Sequence, residues 1–458
     1  MIRDLRLVNT ALAASPPTDY KALVCVFLAG GNDSNNMIVP TDSPTFAQYE
    51  AIRGNLALPQ GSLLPLKQSG GADYTDADGH TLGFHPACGE MQTLFQEQKL
   101  AAVFNVGSLL RPITRAEYLA NATGTRPPQL FSHSDQVTQW QTSIPDQPPA
   151  TGWGGRTADI LDSIANPTGK ISMSVSVSGA NTFETGNLVS QYQVSTNGAV
   201  TLNGNLMTGT GARVKAMRDL LALGHNNLQR AAYADVVDNA IATGDLLNTS
   251  IDATREVADG GTWVWATPFP ATGLGNQLKM AARLIQARGP TAFDMKRQIF
   301  FCQNGGHDTH TNQVTVNGVS DPTNPAGVHY GLMNTMSEAM FAFQRAMEQL
   351  GVSDQVTTFT ASDFSRTFPT NSQGSDHGWG ANHIIVGGAV QGGTTYGSLP
   401  TFAINGPDDT GTGRWIPTLS VDQHSATLAR WFGLDTADLA AVFPNLSRFP
   451  TDDLGFMA

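Results

Sequence analysis

The chain has 458 residues, only 14% of them charged, and a formal net charge of −12. That length is ample for a large core, built as one big domain with insertions or as two domains. The acidic balance, with no basic cluster to offset it, argues against a general nucleic-acid binder and against docking on an anionic membrane.

Gly, Thr, Asn and Pro are abundant, which suits a loop-rich secreted enzyme and equally a polar structural protein. Three cysteines cannot complete a disulfide framework, and no spacing among them suits a zinc knuckle. No run of 18 apolar residues exists, so no transmembrane helix is expected. At the start, Arg3 and Arg6 precede a short apolar stretch and small residues around 11–14. This reads as the tail of an export leader, with an ordinary frayed terminus as the alternative, and residues 1–18 are set apart from the fold.

In chain order, 21–28 (KALVCVFL) reads as a buried strand running into Gly30-Gly31-Asn32-Asp33. A helix over 87–97 carries Met91, Leu94 and Phe95 at helical spacing, and 99–106 reads as a parallel neighbour of the first strand. Residues 131–136 form the polar cluster Phe-Ser-His-Ser-Asp-Gln, and 142–155 is a loop on its Pro and Gly content. A helix at 155–164 and a strand at 170–176 follow. Residues 177–212 read as a β-rich insertion or cap, 213–258 as helical, and 272–288 as a helix with an apolar stripe from Leu274 to Ile285. A strand at 297–303 ends in Gly305-Gly306-His307-Asp308-Thr309-His310. Helix 329–350 carries Leu332, Met336, Met340, Phe343 and Met347, a stripe expected in the core. Strands at 355–361 and 383–388 and a helix at 421–432 close the chain. This alternation predicts an α/β fold with a mostly parallel central sheet and helices on both faces. Residues 19–458 are read as a single domain, with the insertion or cap at about 177–260.

Three of these strands stop abruptly in polar clusters, and in open α/β sheets ligands bind beyond the carboxyl ends of strands. Asp33 after the Gly pair is a candidate metal carboxylate, or else a turn Asp with a local bond. In extended backbone, Asp308 and His310 point the same way and can converge on one ion, with His307 facing elsewhere. Asp363 and the pair Asp376-His377 add two carboxylates and an imidazole, and carboxylates gathered in one place require a neutralising cation. His383 is a lesser candidate. Arg366 can clamp an anionic oxygen or form a plain surface ion pair. In Ser132-His133-Ser134-Asp135, a serine can be activated by metal coordination, or the cluster is simply a helix N-cap. The chain has neither a G-x-S-x-G elbow nor a phosphate-binding G-x-x-x-x-G-K-[ST] loop.

The segments YKALVCVFLAGGND, FSHSDQ, GGHDTH, TASDFSRT and SDHGWG resemble the bacterial domain-of-unknown-function family 1501, from about Tyr20 to Phe443. That family carries a twin-arginine export leader and is similar to the alkaline phosphatase and sulfatase superfamily. The resemblance implies an alkaline-phosphatase-like sandwich. It also implies one or two divalent ions (zinc, manganese or calcium) held by Asp33, Asp308, His310, Asp363 and His377. It makes Ser132 the nucleophile, with Ser134 and Thr114 behind it. Two departures stand out: Phe364 occupies a position where the superfamily usually has His, and Asp308 and His310 are separated by one residue instead of the usual three. The expectation is an exported, periplasmic or extracellular, metal-dependent hydrolase of small-molecule or carbohydrate phosphate or sulfate esters, using Ser132 and Arg366. The alternative is a secreted, non-catalytic binding or assembly protein on the same fold. A calcium-stabilised structural protein is a third reading.

Overall fold

The structure is a computed structural model and describes residues 16–199, 211–223 and 227–458. The export-leader reading rests on residues 1–18, nearly all of which lie outside the described residues, as does part of the expected insertion. A ten-stranded sheet organises the described residues. Its strands are β1 (Lys21–Leu28), β2 (Leu100–Gly107), β3 (Ser174–Ser176), β4 (Tyr192–Ser195) and β5 (Gly198–Ala199). The later ones are β6 (Arg297–Asn304), β7 (Val356–Ser362), β8 (Ala381–Gly387), β9 (Thr394–Tyr396) and β10 (Leu419–Ser420). The spatial order is β9-β2-β8-β7-β1-β6-β3-β4-β5, with β10 also paired to β2. Pairing is mainly parallel: β1 with β6 and β7, β3 with β6 and β4, and β2 with β9 and β10. Only β8, against β7 and β2, and β5, against β4, run antiparallel in this sheet.

Strands β1, β2, β7 and β8 are buried from end to end or nearly so, as strands covered on both faces must be. The helices that cover them fall into two groups. The first comprises α2 (Gly89–Gln96), α8 (Gly273–Gln286) and α9 (Val328–Gln349); they pack on one another and on β2, β6 and β8. Between α2 and α8 lie α3 (Arg115–Ala120), α4 (His133–Thr142), α5 (Trp153–Ala165), α6 (Ala212–Leu221) and α7 (Leu228–Asp252). The second group comprises α4, α5, α10 (Val421–Phe432) and α11 (Thr436–Val442), which pack against β1, β2, β3, β6 and β7. Phe359 of β7 shows that second face directly, with its ring against Trp153 of α5 and His424 of α10. One further helix, α1 (Thr45–Arg53), sits beside a small three-stranded sheet early in the chain. No helix among the described residues is long and apolar enough to cross a membrane.

Two expectations need correction. The strand at 99–106 forms as β2 but is not a neighbour of β1, because β7 and β8 lie between them. Both faces of such a strand are apolar, so its sequence carries no signature of its partner. In α9, Met336, Met340, Phe343 and Met347 are buried as expected, while Leu332 stays half-buried and Met333 takes the core place beside it.

One topological fact positions the site. Strands β1, β6 and β7 run in the same direction, so their carboxyl ends share an edge. Strand β8 runs the opposite way, so its start lies at that same edge. The loops after Leu28, Asn304 and Ser362 and the loop before Ala381 therefore converge there.

Candidate metal centre

The convergence requires close backbone approach. Gly30 has φ +114°, and a side chain on it would collide with the Asp308 backbone nitrogen. Gly31 has φ +84°, and a Cβ there would strike the Phe364 ring. Both positions need glycine for conformation and for space. With them in place, the Gly30 amide donates to Asp363 Oδ1 at 3.0 Å, tying the end of β1 to the end of β7.

Three imidazoles and one carboxylate meet above this junction. His133 is the first residue of α4; its Nδ1 lies 2.7 Å from Asp363 Oδ2 and its Nε2 3.5 Å from Asp308 Oδ2. His377 Nδ1 lies 2.7 Å from the Phe131 carbonyl oxygen, and its Nε2 3.4 Å from Asp308 Oδ1. His310 Nδ1 lies 3.0 Å from Asp376 Oδ1, and its Nε2 is 3.2 Å from Asp308 Oδ1 and 2.8 Å from His377 Nε2. One ligand atom each from His133, Asp308 and His377 lie within 4.8 Å of one another, spacing that suits a shared metal ion. The Phe364 ring is fully buried below, 4.9 Å from the His133 ring and 4.7 Å from that of His377.

Electrostatics favour a charged carboxylate beside the His377 ring. Partial burial works against the Asp308 anion, but the hydrogen bond and charge of Arg366, aided by His310 and His133, hold its carboxyl below the usual range. Asp376 is likewise held low: its desolvation is outweighed by hydrogen bonds from Asn371 and His310. Burial, then the nearby positive charge of Arg366, pushes the His377 imidazole down, against the pull of the Phe131 carbonyl. A neutral imidazole is the form that ligates metal.

Of the residues expected to bind metal, the structure brings together Asp308, His310 and His377 in direct mutual contact. Asp363 sits one layer behind, its side chain 3% exposed, holding His133 instead of facing the centre. Asp33 does not join them. It is buried, ion-paired with Arg53, and accepts from Gln313 Nε2 at 2.5 Å and Asn35 Nδ2 at 3.3 Å. Its carboxyl is held low: burial raises it, but the Arg53 charge and hydrogen bond win.

Arg366 is no surface residue either. It is buried and bonds the Gly30 carbonyl at 3.2 Å, Asp308 Oδ1 at 2.8 Å and the Ser375 carbonyl. Those bonds orient Asp308. Ser132 is the N-cap residue of α4, with its hydroxyl donating to Asp135 Oδ2 at 2.6 Å. Thr114 caps α3 in a capping box with Glu117. His307 is buried between Asn32 and Asn304, facing away as the alternation predicted, and burial pushes it down to about 3. His383 lies in the interior against Trp140.

His133 is the residue that sequence reasoning missed. In its cluster the serine is the obvious candidate, while the imidazole beside it is the group that reaches the centre. A usable signal existed: a histidine at the first position of a predicted helix, whose amino end faces a sheet edge.

Fold and site together define an α/β protein with a histidine-rich centre at the carboxyl edge of its sheet. The chain belongs to the family described as "Protein of unknown function (DUF1501)", whose model matches residues 20–445. No curated protein matches it. Among solved structures, the chain is similar to Ps i-CgsB at 8% identity, covering 93% of this chain and 72% of that one, with a TM-score of 0.33. The lipoteichoic acid synthase LtaP from Listeria monocytogenes gives 7% identity, coverage of 90% and 80%, and a TM-score of 0.31. A Bacteroides thetaiotaomicron protein of glycosaminoglycan metabolism (BT33494S-sulf) gives 10%, 92%, 74% and 0.34 in the same order.

Proposed function

We propose that the chain is an exported, metal-dependent hydrolase of phosphate or sulfate esters, acting in the periplasm or outside the cell. The observation that carries the reading is the meeting of His133, Asp308 and His377 at one point on the sheet edge. The donor set fits a divalent cation, since each ring presents a nitrogen and Asp308 a carboxylate. Asp308 is 46% exposed, so the centre is open to a ligand from solvent. A cation bound there supplies charge stabilisation to a transferred phosphoryl or sulfuryl group and lowers the pKa of a nearby hydroxyl.

Ser132, directly before His133, is the proposed nucleophile. Its Oγ forms a bond to phosphorus or sulfur as the bond to the alcohol oxygen breaks, and the hydroxyl proton leaves with the alcohol. Water then cleaves the seryl ester, releasing phosphate or sulfate and restoring the serine. Asp135, which accepts from Ser132 Oγ, would take this hydroxyl proton and pass it to the departing alcohol. Arg366 holds Asp308 in position.

The alternative, a non-catalytic binding or assembly protein, is favoured by Phe364, Asp33 and Arg366, all buried and committed to internal contacts. Hydrolysis of aryl phosphate and aryl sulfate esters, assayed before and after chelation and on Ser132→Ala, separates the two. Turnover that needs metal and falls at least a hundredfold in the variant supports the hydrolase. No turnover with any divalent ion leaves the binding protein.

A further inference from the structure

We propose that the edge cluster is a mononuclear site for a borderline transition metal of the zinc class, ligated by Nε2 of His133, His310 and His377 and by the Asp308 carboxylate. This rests on the metal-dependent reading and narrows it to one ion and one ligand set, with His133 as a new member.

The tautomers carry the argument. The Phe131 carbonyl can only accept, so His377 Nδ1 must bear hydrogen. The carboxylates of Asp376 and Asp363 hold the Nδ1 hydrogens of His310 and His133 in the same way. A ring that carries its hydrogen on Nδ1 can offer the Nε2 lone pair to a metal, and the Nε2 atoms of His133, His310 and His377 lie 3.5, 3.2 and 3.4 Å from the Asp308 carboxylate oxygens. His310 Nε2 and His377 Nε2 stand 2.8 Å apart. Two lone pairs that close repel, and a cation between the rings turns the repulsion into shared ligation. Imidazoles whose far nitrogen is held by a carboxylate or carbonyl are the usual orientation shell of a metal site, and all three rings have one.

The same geometry limits the site to one ion. Asp33, a carboxylate that the sequence offers as a further ligand, is neutralised by Arg53 with both side chains fully buried. Phe364 fills the space under His133 and His377 with an apolar ring. The donor set also selects the metal. Three imidazoles and one carboxylate suit zinc, cobalt or nickel, whereas calcium and magnesium prefer oxygen ligands.

The test uses the full chain, stripped with chelator, then titrated separately with zinc, cobalt(II), calcium and magnesium. Expected are one zinc or cobalt per chain, no binding of calcium or magnesium at comparable concentration, and a cobalt visible spectrum typical of a four- or five-coordinate nitrogen site. His133→Ala and His310→Ala should each weaken zinc binding roughly 10–100-fold or more, with unfolding in chelator unchanged. His80→Ala, outside the cluster, should bind as the unaltered chain does. Two ions per chain, preference for calcium, or unchanged affinity in His133→Ala overturns the assignment. So does a stripped protein that takes up no metal, which would mean that a shared proton joins His310 to His377. One-to-one zinc binding without ester turnover would sink the hydrolase reading alone. Turnover that requires two ions would sink the mononuclear site alone.

Discussion

Asp33 and Arg53 form an ion pair in which neither side chain is exposed to solvent. The guanidinium is otherwise spent on Asn36 Oδ1 at 3.1 Å and on the carbonyls of Thr367 and Phe368 at 3.2 and 2.9 Å. Asp33 thus reaches the sheet edge by the route its sequence position implies and is there consumed by α1, clamping the loop after β1 to the loop after β7.

Removing one partner of such a pair strands a buried charge. Arg53→Met should cost about 3–5 kcal/mol, read as a fall in the urea midpoint at neutral pH. The double variant Arg53→Met, Asp33→Leu should recover part of that loss. If the single variant unfolds at the normal midpoint, the pair contributes no net stability and the clamp is a wrong description.

Stability should fall as pH rises, through Glu184. This side chain is fully buried. Burial pushes its carboxyl up to about 8 from the ordinary 4.5, opposed by a hydrogen bond from Asn181 at 2.8 Å. Below the unfolded value both states hold the proton and the contribution is fully present. Between that value and about 8 the unfolded chain loses the proton while the folded chain keeps it, so stability declines, by on the order of 5 kcal/mol in all. Glu184→Gln should flatten this part of the slope and unfold at higher urea than the unaltered chain at pH 8.5. Parallel slopes for the two proteins from pH 5 to 9 would show that Glu184 does not carry it.

Gly31→Ala tests the packing beneath the centre. A positive φ and contact with the Phe364 ring together predict a loss of about 2–5 kcal/mol. Adding Phe364→Leu should relieve the steric share and leave the conformational one, so the double variant should be more stable than the sum of the two singles. Strict additivity in thermal or urea unfolding would mean that the ring is not what excludes a side chain here.

The sheet was legible because its strands are runs of apolar residues that stop abruptly. Val24 to Leu28, Ile299 to Cys302 and Thr358 to Ala361 are buried throughout, and such runs name themselves. Their order was less legible: nothing within 99–106 tells that Ala381–Gly387 pairs beside it. At the site, Asp308, His310 and His377 were visible as polar residues just outside strands. Two things were not visible. Asp33 looked like a ligand because the sequence does not show that Arg53, 20 residues on, folds back onto it. His133 was hidden because its value depends on where the amino end of α4 lies, which only the tertiary packing fixes.

Asp363 offers the last test, because one carboxylate performs two tasks. Oδ1 accepts from the Gly30 amide at 3.0 Å, and Oδ2 holds His133 Nδ1 at 2.7 Å. An amide in its place has one acceptor oxygen only. In Asp363→Asn, if that oxygen keeps Gly30, the amide nitrogen faces His133 Nδ1 and drives the ring hydrogen to Nε2, the atom that should bind metal. Zinc affinity should then fall about 10–100-fold, measured by competition with a chromophoric chelator at fixed pH. If the oxygen keeps His133 instead, the Gly30 amide loses its acceptor and the cost appears as roughly 1–3 kcal/mol of stability. A variant that shows neither change would mean that Asp363 does not position His133. A loss of affinity at unchanged stability would place Asp363 behind His133 as its orienting carboxylate.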